Sequence, residues 1–194
     1  MMTKSGQTSL KTIIGIDYSL TSPAICITTD FIFENSQFYY LTNKKKYIGP
    51  MAKNIFGFEH KEYDTPIHRF SQISDWVFDT LNESFHTHQQ VYIEGYSFGS
   101  KGQAVFQIAE NCGILKYRLQ ELKVPYETIV PSVVKKGATG KGNADKDLMY
   151  ESFCKDTNTN LKKVFDVEKI GNPVSDIVDS FYIAKVGYEN SSSH

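Results

Sequence analysis

Four acidic residues occupy positions where folding does not require an acid. Asp17 ends the apolar run IIGID, Glu94 ends the run VYIEG, and Asp176 and Asp179 follow at i and i+3 in a helical pattern. Residues three apart share one face of a helix, and the apolar neighbours of this pair predict that the face points inward or across a cleft. Taken singly, each acid is better explained as a turn former, a helix cap or an ion-pair partner. Taken together, the four acids predict a metal site.

The predicted chemistry is hydrolysis of a phosphodiester. Carboxylates that converge repel one another and raise their own pKa values, and hard divalent cations relieve this because they prefer oxygen ligands. Two such ions about 4 Å apart suit in-line attack of water, since one generates the hydroxide and the other stabilises the leaving 3′-oxygen. No His or Cys accompanies the acids, which favours Mg²⁺ over zinc. We therefore predict two Mg²⁺ ions per active site, with Mn²⁺ able to substitute.

The elements that must position these acids form an α/β pattern. β-branched and alternating runs predict five strands, at residues 12–17, 24–29, 36–42, 90–95 and 125–130, of which the first three form an antiparallel meander. Apolar residues at helical spacing predict helices from Pro66, over residues 103–122, from Pro131, over residues 144–156 and from Pro173. The segment 44–64 receives no assignment, and GATGKGN at 137–143 is predicted to be a flexible basic loop. The order predicts one domain over residues 12–189, a mixed five-stranded sheet flanked by helices, with disordered ends at 1–11 and 190–194.

The same segments carry a resemblance to a known family. IIGIDYSLTS with Asp17, VYIEGYSFGSKG with Glu94, and NPVSDIVDSFYIAKVG with Asp176 and Asp179 resemble the RuvC-type Holliday junction resolvases, particularly their divergent phage versions. Between them, VPYETIVPSVVKKGATGKGNADKDLM resembles the family's strand and basic segment. The resemblance implies a ribonuclease-H-like fold, a homodimer, and the paired symmetric nicks in four-way DNA junctions that a crossover junction endodeoxyribonuclease makes. The interval from Asp17 to Glu94 is longer than is usual in the family, and we assign the extra length to residues 44–64.

Basic and aromatic residues near the acids predict contacts with DNA. A basic segment between the second and third acidic motifs supplies Lys135, Lys136, Lys141 and Lys146, which would contact phosphates. In similar proteins a lysine at the position of Lys146 reaches the phosphate near the metals, which gives it a catalytic role, and Lys135 matches a second such position. The alternative for both is a solvated lysine face. In the loop after Glu94, Phe98 would stack on an unpaired base and Lys101 would add to the DNA surface. The KKK run at 44–46 is interpreted as a solvated hairpin end, with DNA contact as the lesser alternative.

The composition narrows the classes of function. Lys and Arg number 21 against 22 Asp and Glu, so the formal net charge is -1 and DNA binding needs a local basic surface. The widely spaced Cys26, Cys112 and Cys154 predict neither a zinc site nor a disulfide framework and favour a reducing compartment. The chain has no apolar stretch of membrane-spanning length, no signal-peptide pattern and no nucleotide-binding loop of the required spacing. We therefore predict a cytoplasmic protein without a nucleotide cofactor, in a bacterial host if the gene is phage-encoded.

Several alternatives remain open. Other ribonuclease-H-like nucleases use the same acids to cut flaps, other branched DNA or RNA–DNA hybrids. A catalytically silent DNA-binding scaffold is an alternative of another class, which the presence of all four acids disfavours. An actin-like kinase lobe also begins with a strand of the form I-G-I-D, but it needs a second lobe for which this chain is too short. The helix at residues 103–122 is the predicted dimer interface.

Overall fold

A seven-stranded mixed sheet lies at the centre of the structure, a computed structural model that describes residues 11–82, 89–96 and 103–192. Its strands are β1 (Thr12–Asp17), β2 (Ala24–Thr28), β3 (Gln37–Thr42), β4 (Gly49–Ala52), β5 (Ile55–Glu59), β6 (Gln89–Glu94) and β7 (Tyr126–Ile129). The strands lie in the order β4-β5-β3-β2-β1-β6-β7. The predicted α/β class and mixed sheet are therefore confirmed, and the predicted number of five strands is wrong.

The pairing of the strands brings the first two acids to one edge. β1, β2 and β3 form the predicted antiparallel meander, whereas β1 and β6 run parallel with Ile16 opposite Ile93. Asp17 and Glu94 each follow one residue after that pair. Side chains alternate between the two faces of a strand, so both acids point away from the face that Ile16 and Ile93 occupy. Asp17 and Glu94 consequently lie on the same face at the same end of neighbouring strands.

The two strands that the sequence did not reveal come from the unassigned segment 44–64. β5 pairs in parallel with β3, with Tyr39 opposite Phe56, and β4 closes the edge of the sheet antiparallel to β5. Both strands are short, and Gly49, Pro50 and Gly57 interrupt the alternation that normally identifies a strand. Their conformation is decided by pairing, of β5 with β3 and of β4 with β5, rather than by local preference.

Six helices cover the two faces of the sheet within the described residues. They are α1 (Pro66–Asn82), α2 (Gln103–Glu121), α3 (Pro131–Thr139), α4 (Lys146–Thr157), α5 (Leu161–Val164) and α6 (Val174–Ser191). α1 and α2 bury one face, where Ile14 and Ile16 meet Val77 and Leu115. The other helices bury the opposite face around α6. The face of Asp17 and Glu94 is therefore the face on which α6 lies.

Close packing of α6 on β1 depends on Gly15. A Cβ atom at Gly15 would overlap the carbonyl oxygen of Ser180 and would lie 2.5 Å from the backbone nitrogen of Ala184. Only a residue without a side chain lets the helix backbone approach the strand this closely. Asp17, two residues further along the strand, is thereby held against the N-terminal part of α6.

Most element boundaries differ from the prediction by one or two residues, and two differences at helix ends extend a helix into a predicted loop or tail. Residues 137–139, predicted to be in a flexible loop, complete α3, which ends at Gly140 with a φ of 78° because glycine tolerates the left-handed conformation. α6 continues to Ser191, so the predicted disordered tail begins too early, and the Ser191 hydroxyl donates to Glu127 Oε2 at 2.8 Å. Across the residues described, none of the helices combines the length and the apolar character that crossing a membrane requires.

Candidate active site

The four predicted acids come together at the end of β1 and β6 nearest the start of α6. Asp17 and Glu94 end their strands, and Asp176 and Asp179 lie in the first turns of α6. The negative charges of Asp176, Asp179 and Glu94 all act on the Asp17 carboxylate. Asp176 is only 6% exposed, whereas the other three acids are partly exposed. Acids as far apart in the sequence as Asp17 and Asp179, 162 positions, thus form one cluster of carboxylates.

Burial and mutual repulsion raise the pKa values of the first two acids. For Asp17, burial in the protein raises the pKa well above 3.8, and the charges of Asp176, Asp179 and Glu94 raise it further while Lys146 opposes them. For Glu94, burial and then the charge of Asp179 raise the pKa from 4.5 to about 7, against the lowering effect of Lys135. Both carboxyl groups therefore hold protons more tightly than they would in water.

The pKa values of Asp176 and Asp179 on α6 are also raised, but neighbouring groups oppose the rise more strongly. Burial followed by the charge of Asp176 raises the pKa of Asp179 from 3.8 to about 6, and Lys146 and Lys135 lower it. Burial also raises the pKa of Asp176, although hydrogen bonds from two serines and the charges of Lys146 and Lys44 oppose the rise. Four neighbouring acids that all resist ionisation form the kind of environment in which a cation would bind favourably.

Asp176 is held by two serines that the sequence reading did not select. The Ser22 hydroxyl donates to Asp176 Oδ2 at 2.5 Å, and the Ser175 hydroxyl lies 3.1 Å from Oδ1 as a donor. Lys146 Nζ in turn donates to Ser175 Oγ at 3.2 Å. Ser22 is the last residue of YSLTS, which directly follows Asp17. Its hydroxyl in that turn was the only feature of the sequence that could have indicated a role at the site. Its neighbour Ser19 has a turn role, since Ser19 Oγ accepts the backbone N–H of Ser22 at 3.1 Å.

Three lysines surround the acids. Lys146 at the start of α4 acts on Asp17, Asp176 and Asp179, and Lys135 on α3 acts on Glu94 and Asp179. Lys44 is the third, since it acts on Asp176 and its Nζ donates to the Asn172 carbonyl at 2.8 Å. The first lysine of the KKK run is exposed, as the interpretation of the run as solvated predicts, but its charge also acts on the Asp176 carboxylate. The sequence did not predict this effect of Lys44 on Asp176, because the segment 44–64 received no secondary-structure assignment.

The remaining predicted DNA contacts fall in two groups. Lys136 and Lys141 are exposed, on α3 and in the turn after it, and extend the basic surface away from the acids. Phe98 and Lys101 lie outside the described residues. Tyr96, at the end of the described part of that loop, is 47% exposed, and Lys116 Nζ lies 5.0 Å from the centre of its ring.

A cleft of about 320 Å³ opens beside the acids toward α2. Asp17 and Glu94 line one side, and Tyr96, Ile108 and Cys112 line the other. Burial raises the pKa of the Cys112 thiol to about 11, so this cysteine is a neutral, weakly polar part of the wall. The cleft therefore combines an anionic end with an apolar wall, and it gives a ligand access to the carboxylates from the side of α2.

The donor set suits hard divalent cations. Of the residues that the structure describes, no three His, Cys, Asp or Glu side chains lie close enough together to enclose an ion as they stand. Holding an ion would require the partly exposed carboxylates to change rotamer toward one another. Their chemistry fits Mg²⁺ or Mn²⁺, because every candidate ligand is a carboxylate and each one gains from a neighbouring positive charge.

Comparison with known proteins gives matches among solved structures. No protein-family model and no curated protein sequence matches the chain. Thermus thermophilus RuvC superimposes with a TM-score of 0.56 at 14% identity over 93% of this chain and 96% of that one. The same protein in complex with a Holliday junction substrate gives 0.60 at 14% identity over 94% and 96%. The yeast mitochondrial Holliday junction resolvase Ydc2 gives 0.52 at 13% identity over 97% and 85%. The chain therefore has the ribonuclease-H-like fold of these resolvases, and the predicted resemblance is confirmed for the fold.

Proposed function

We propose that this protein, which has the fold of the RuvC resolvases, is a metal-dependent endonuclease that resolves four-way DNA junctions by paired symmetric nicks. The observation that carries the proposal is the convergence of Asp17, Glu94, Asp176 and Asp179 at one edge of the sheet. A cluster of buried like charges destabilises a fold, so its presence favours a functional reason for keeping it. A similar fold has been solved with a Holliday junction substrate, which supports this choice of DNA.

The four acids would hold two Mg²⁺ ions, for which Mn²⁺ would substitute. When bound, the ions would activate water and stabilise the charge that develops on the phosphodiester. Ser22 and Ser175 would keep Asp176 oriented toward the cleft, because each donates a hydrogen bond to a different oxygen of its carboxylate. A ligand carboxylate fixed in this way loses less rotational freedom when it binds a cation.

The lysines would bind and orient the scissile strand. Lys146 and Lys135 are close enough to the acids to affect their charge, and their ammonium groups would contact the phosphate that is cleaved. Lys136 and Lys141 would contact phosphates further along the same strand. Hydrolysis would leave a 5′-phosphate and a 3′-hydroxyl, which can be religated.

A homodimer would place two such sites on one junction. α2 exposes two large aromatic side chains, Phe106 at 68% and Tyr117 at 63%. Gly113 lies on the same face, and a Cβ added there would meet no atom within 4 Å. Large exposed apolar side chains around a glycine fit the close approach of a second helix. A two-fold axis through α2 would relate two active sites and let them cut strands of like polarity.

Cleavage of matched substrates tests the proposal. Labelled four-way junction, flap, plain duplex and RNA–DNA hybrid would be incubated with the protein, with and without Mg²⁺. We expect metal-dependent paired nicks in the junction alone. Preferential cutting of the flap or the hybrid would contradict junction resolution and favour the alternative substrates of this fold. No cutting of any substrate would favour a DNA-binding scaffold.

Substitution of the acids separates catalysis from binding. Asp17→Asn and Asp179→Asn should each abolish cleavage, since either change removes a charged ligand, while junction affinity stays within roughly threefold. The matched control is Glu151→Gln, an exposed carboxylate on α4 outside the cluster, which should cut at the rate of the wild-type protein. Loss of junction binding in both cluster variants, but not in the control, would indicate that the acids have a structural role.

A further inference from the structure

A second cavity, of about 430 Å³, lies between α1 and the outer strands of the sheet. Its walls are the sheet residues Tyr39, Leu41 and Phe58 and the helix residues Ile73 and Trp76. Cavities of this size with mostly apolar and aromatic walls and a few polar groups are typical of sites for small ligands or for single groups of larger ones.

The cavity exists because α1 covers β3 but leaves part of the neighbouring strand β5 exposed. Tyr39 pairs with Phe56 and Leu41 pairs with Phe58, so the parallel strands β3 and β5 present these side chains on one face. α1 buries Leu41 to 4% exposure but leaves Phe58 43% exposed. β5 belongs to the segment 44–64, to which we assigned the extra length between Asp17 and Glu94. The segment to which we assigned the extra length thus supplies part of the cavity wall, including Phe58.

Polar groups at the cavity contact the loop between β1 and β2, residues 18–23. Arg69 Nη2 donates to the Leu20 carbonyl at 2.7 Å, and His60 Nε2 lies 3.0 Å from the Thr21 carbonyl. The next residue of the loop is Ser22, which donates to Asp176. One short loop therefore connects the cavity to the carboxylate cluster.

The charges around the cavity favour an uncharged ring as its occupant. Lys61 and Arg69 contribute positive charge, whereas Glu59 and Asp79 contribute negative charge. The two carboxylates would repel a phosphate inside the cavity but would accept hydrogen bonds from the exocyclic amino group of a base. The two cations would attract the backbone phosphates on either side.

We propose that this cavity binds an unpaired nucleobase of the DNA strand that reaches the carboxylate cluster, by stacking the base between Phe58 and Trp76. This inference rests on the proposed function, because it supposes that DNA approaches the cluster. Stacking on aromatic side chains is the usual way in which proteins hold unpaired bases, and adenine, with its large ring and amino group, fits the wall and the acids best.

Trp76 provides a direct probe of the cavity, because it is the single tryptophan of the chain. Metal-free protein would be titrated with a single-stranded oligodeoxyadenylate of about eight nucleotides, and its tryptophan fluorescence would be followed. We expect a saturable change of fluorescence, with weaker binding of oligodeoxythymidylate and of a blunt duplex. Because no cleavage is measured, a failure of the nuclease activity leaves this result intact, and a failure here leaves the nuclease proposal intact.

Two variants and one control locate the binding. Phe58→Ala should weaken oligodeoxyadenylate binding roughly tenfold, and Lys61→Ala should weaken it by a smaller factor at low salt only. Ile67→Ala, on the same helix as Trp76 but outside the cavity and 59% exposed, should leave affinity unchanged. The proposal is overturned if single strands leave the fluorescence unchanged, if the duplex binds as tightly as the single strand, or if neither Phe58→Ala nor Lys61→Ala weakens binding.

Discussion

Replacing Glu94 by Gln should abolish cleavage and, at the same time, make the metal-free protein more stable. The physical reason is the charge of Glu94 in the folded state. Burial and the neighbouring Asp179 carboxylate raise its pKa from 4.5 to about 7. The unfolded chain has the ordinary pKa, so at pH 8 the ionised side chain is less favourable in the folded protein than in the unfolded one.

The size of the effect follows from that difference. A rise from 4.5 to about 7 corresponds to about 3 kcal/mol, at about 1.4 kcal/mol per pH unit. Glu94 is partly exposed, so water screens some of this, and the neutral amide also loses hydration when it is buried. We therefore expect a net gain of about 1–2 kcal/mol at pH 8. For a chain of this size the melting temperature would rise by roughly 2–8 °C.

The pH dependence of the gain has a definite sign. Because the folded pKa of Glu94 is raised, the stability that its protonated form contributes is complete below pH 4.5 and is lost as the pH rises through about 7. The melting temperatures of Glu94→Gln and wild type should therefore coincide near pH 4.5 and diverge toward pH 8. Adding Mg²⁺ at pH 8 should raise the wild-type value more than that of the variant, since the ion binds the ionised carboxylates of the folded state.

Thermal melting followed by circular dichroism, with and without Mg²⁺, measures these differences. Glu151→Gln serves as the control, because its carboxylate is exposed and lies outside the cluster. The reasoning is refuted if Glu94→Gln melts below wild type at pH 8 without metal. It is also refuted if the gain is the same at pH 4.5 and pH 8, because the charge of Glu94 would then not be its cause.

Three further substitutions test the way in which the site is held. Gly15→Ala should lower the free energy of unfolding by about 1–3 kcal/mol in denaturant titrations, because the new methyl group overlaps the backbone of α6. Ser22→Ala should reduce the cleavage rate by roughly tenfold while junction affinity in band-shift assays stays the same. The reason is that the change removes a hydrogen bond that orients Asp176. An unchanged cleavage rate would contradict this role. Lys146→Ala should slow single-turnover cleavage more than it weakens junction binding. The control Lys155→Ala, at the exposed end of the same helix, should change neither the rate nor the affinity. Equal losses in rate and affinity would make Lys146 a binding residue only.

The position of the acids could be predicted because each belongs to a regular element. Asp17 and Glu94 end strands whose apolar residues make them recognisable, and parallel neighbouring strands end at the same edge of a sheet. Asp176 and Asp179 were recognisable from helical spacing alone. What the sequence predicted was thus the direction in which these side chains point, which follows from the periods of strand and helix.

The contacts between segments far apart in the sequence could not be predicted from local sequence patterns. β4 and β5 contain Gly49, Pro50 and Gly57, and they become strands because β5 pairs with β3 and β4 pairs with β5. Lys44, two residues after β3 ends, acts on Asp176 and donates to the Asn172 carbonyl, and both partners lie more than 120 residues further along the chain. The cavity beside Trp76 arises in the same way, since one of its walls includes β5, a strand without a sequence signal, and the opposite wall is α1, a helix that the sequence predicted.

The assembly of the cluster from three distant segments affects how the protein behaves before it is fully folded. Asp17 and Glu94 meet only after β6 has paired with β1, and Asp176 and Asp179 reach them only after α6 has packed against Gly15. Partly folded chains, which are common while long-range contacts form, would have at most two of the four acids together. The proposed DNA-cutting activity would require all of these contacts at once, so misfolded or half-folded molecules would be harmless to the DNA around them.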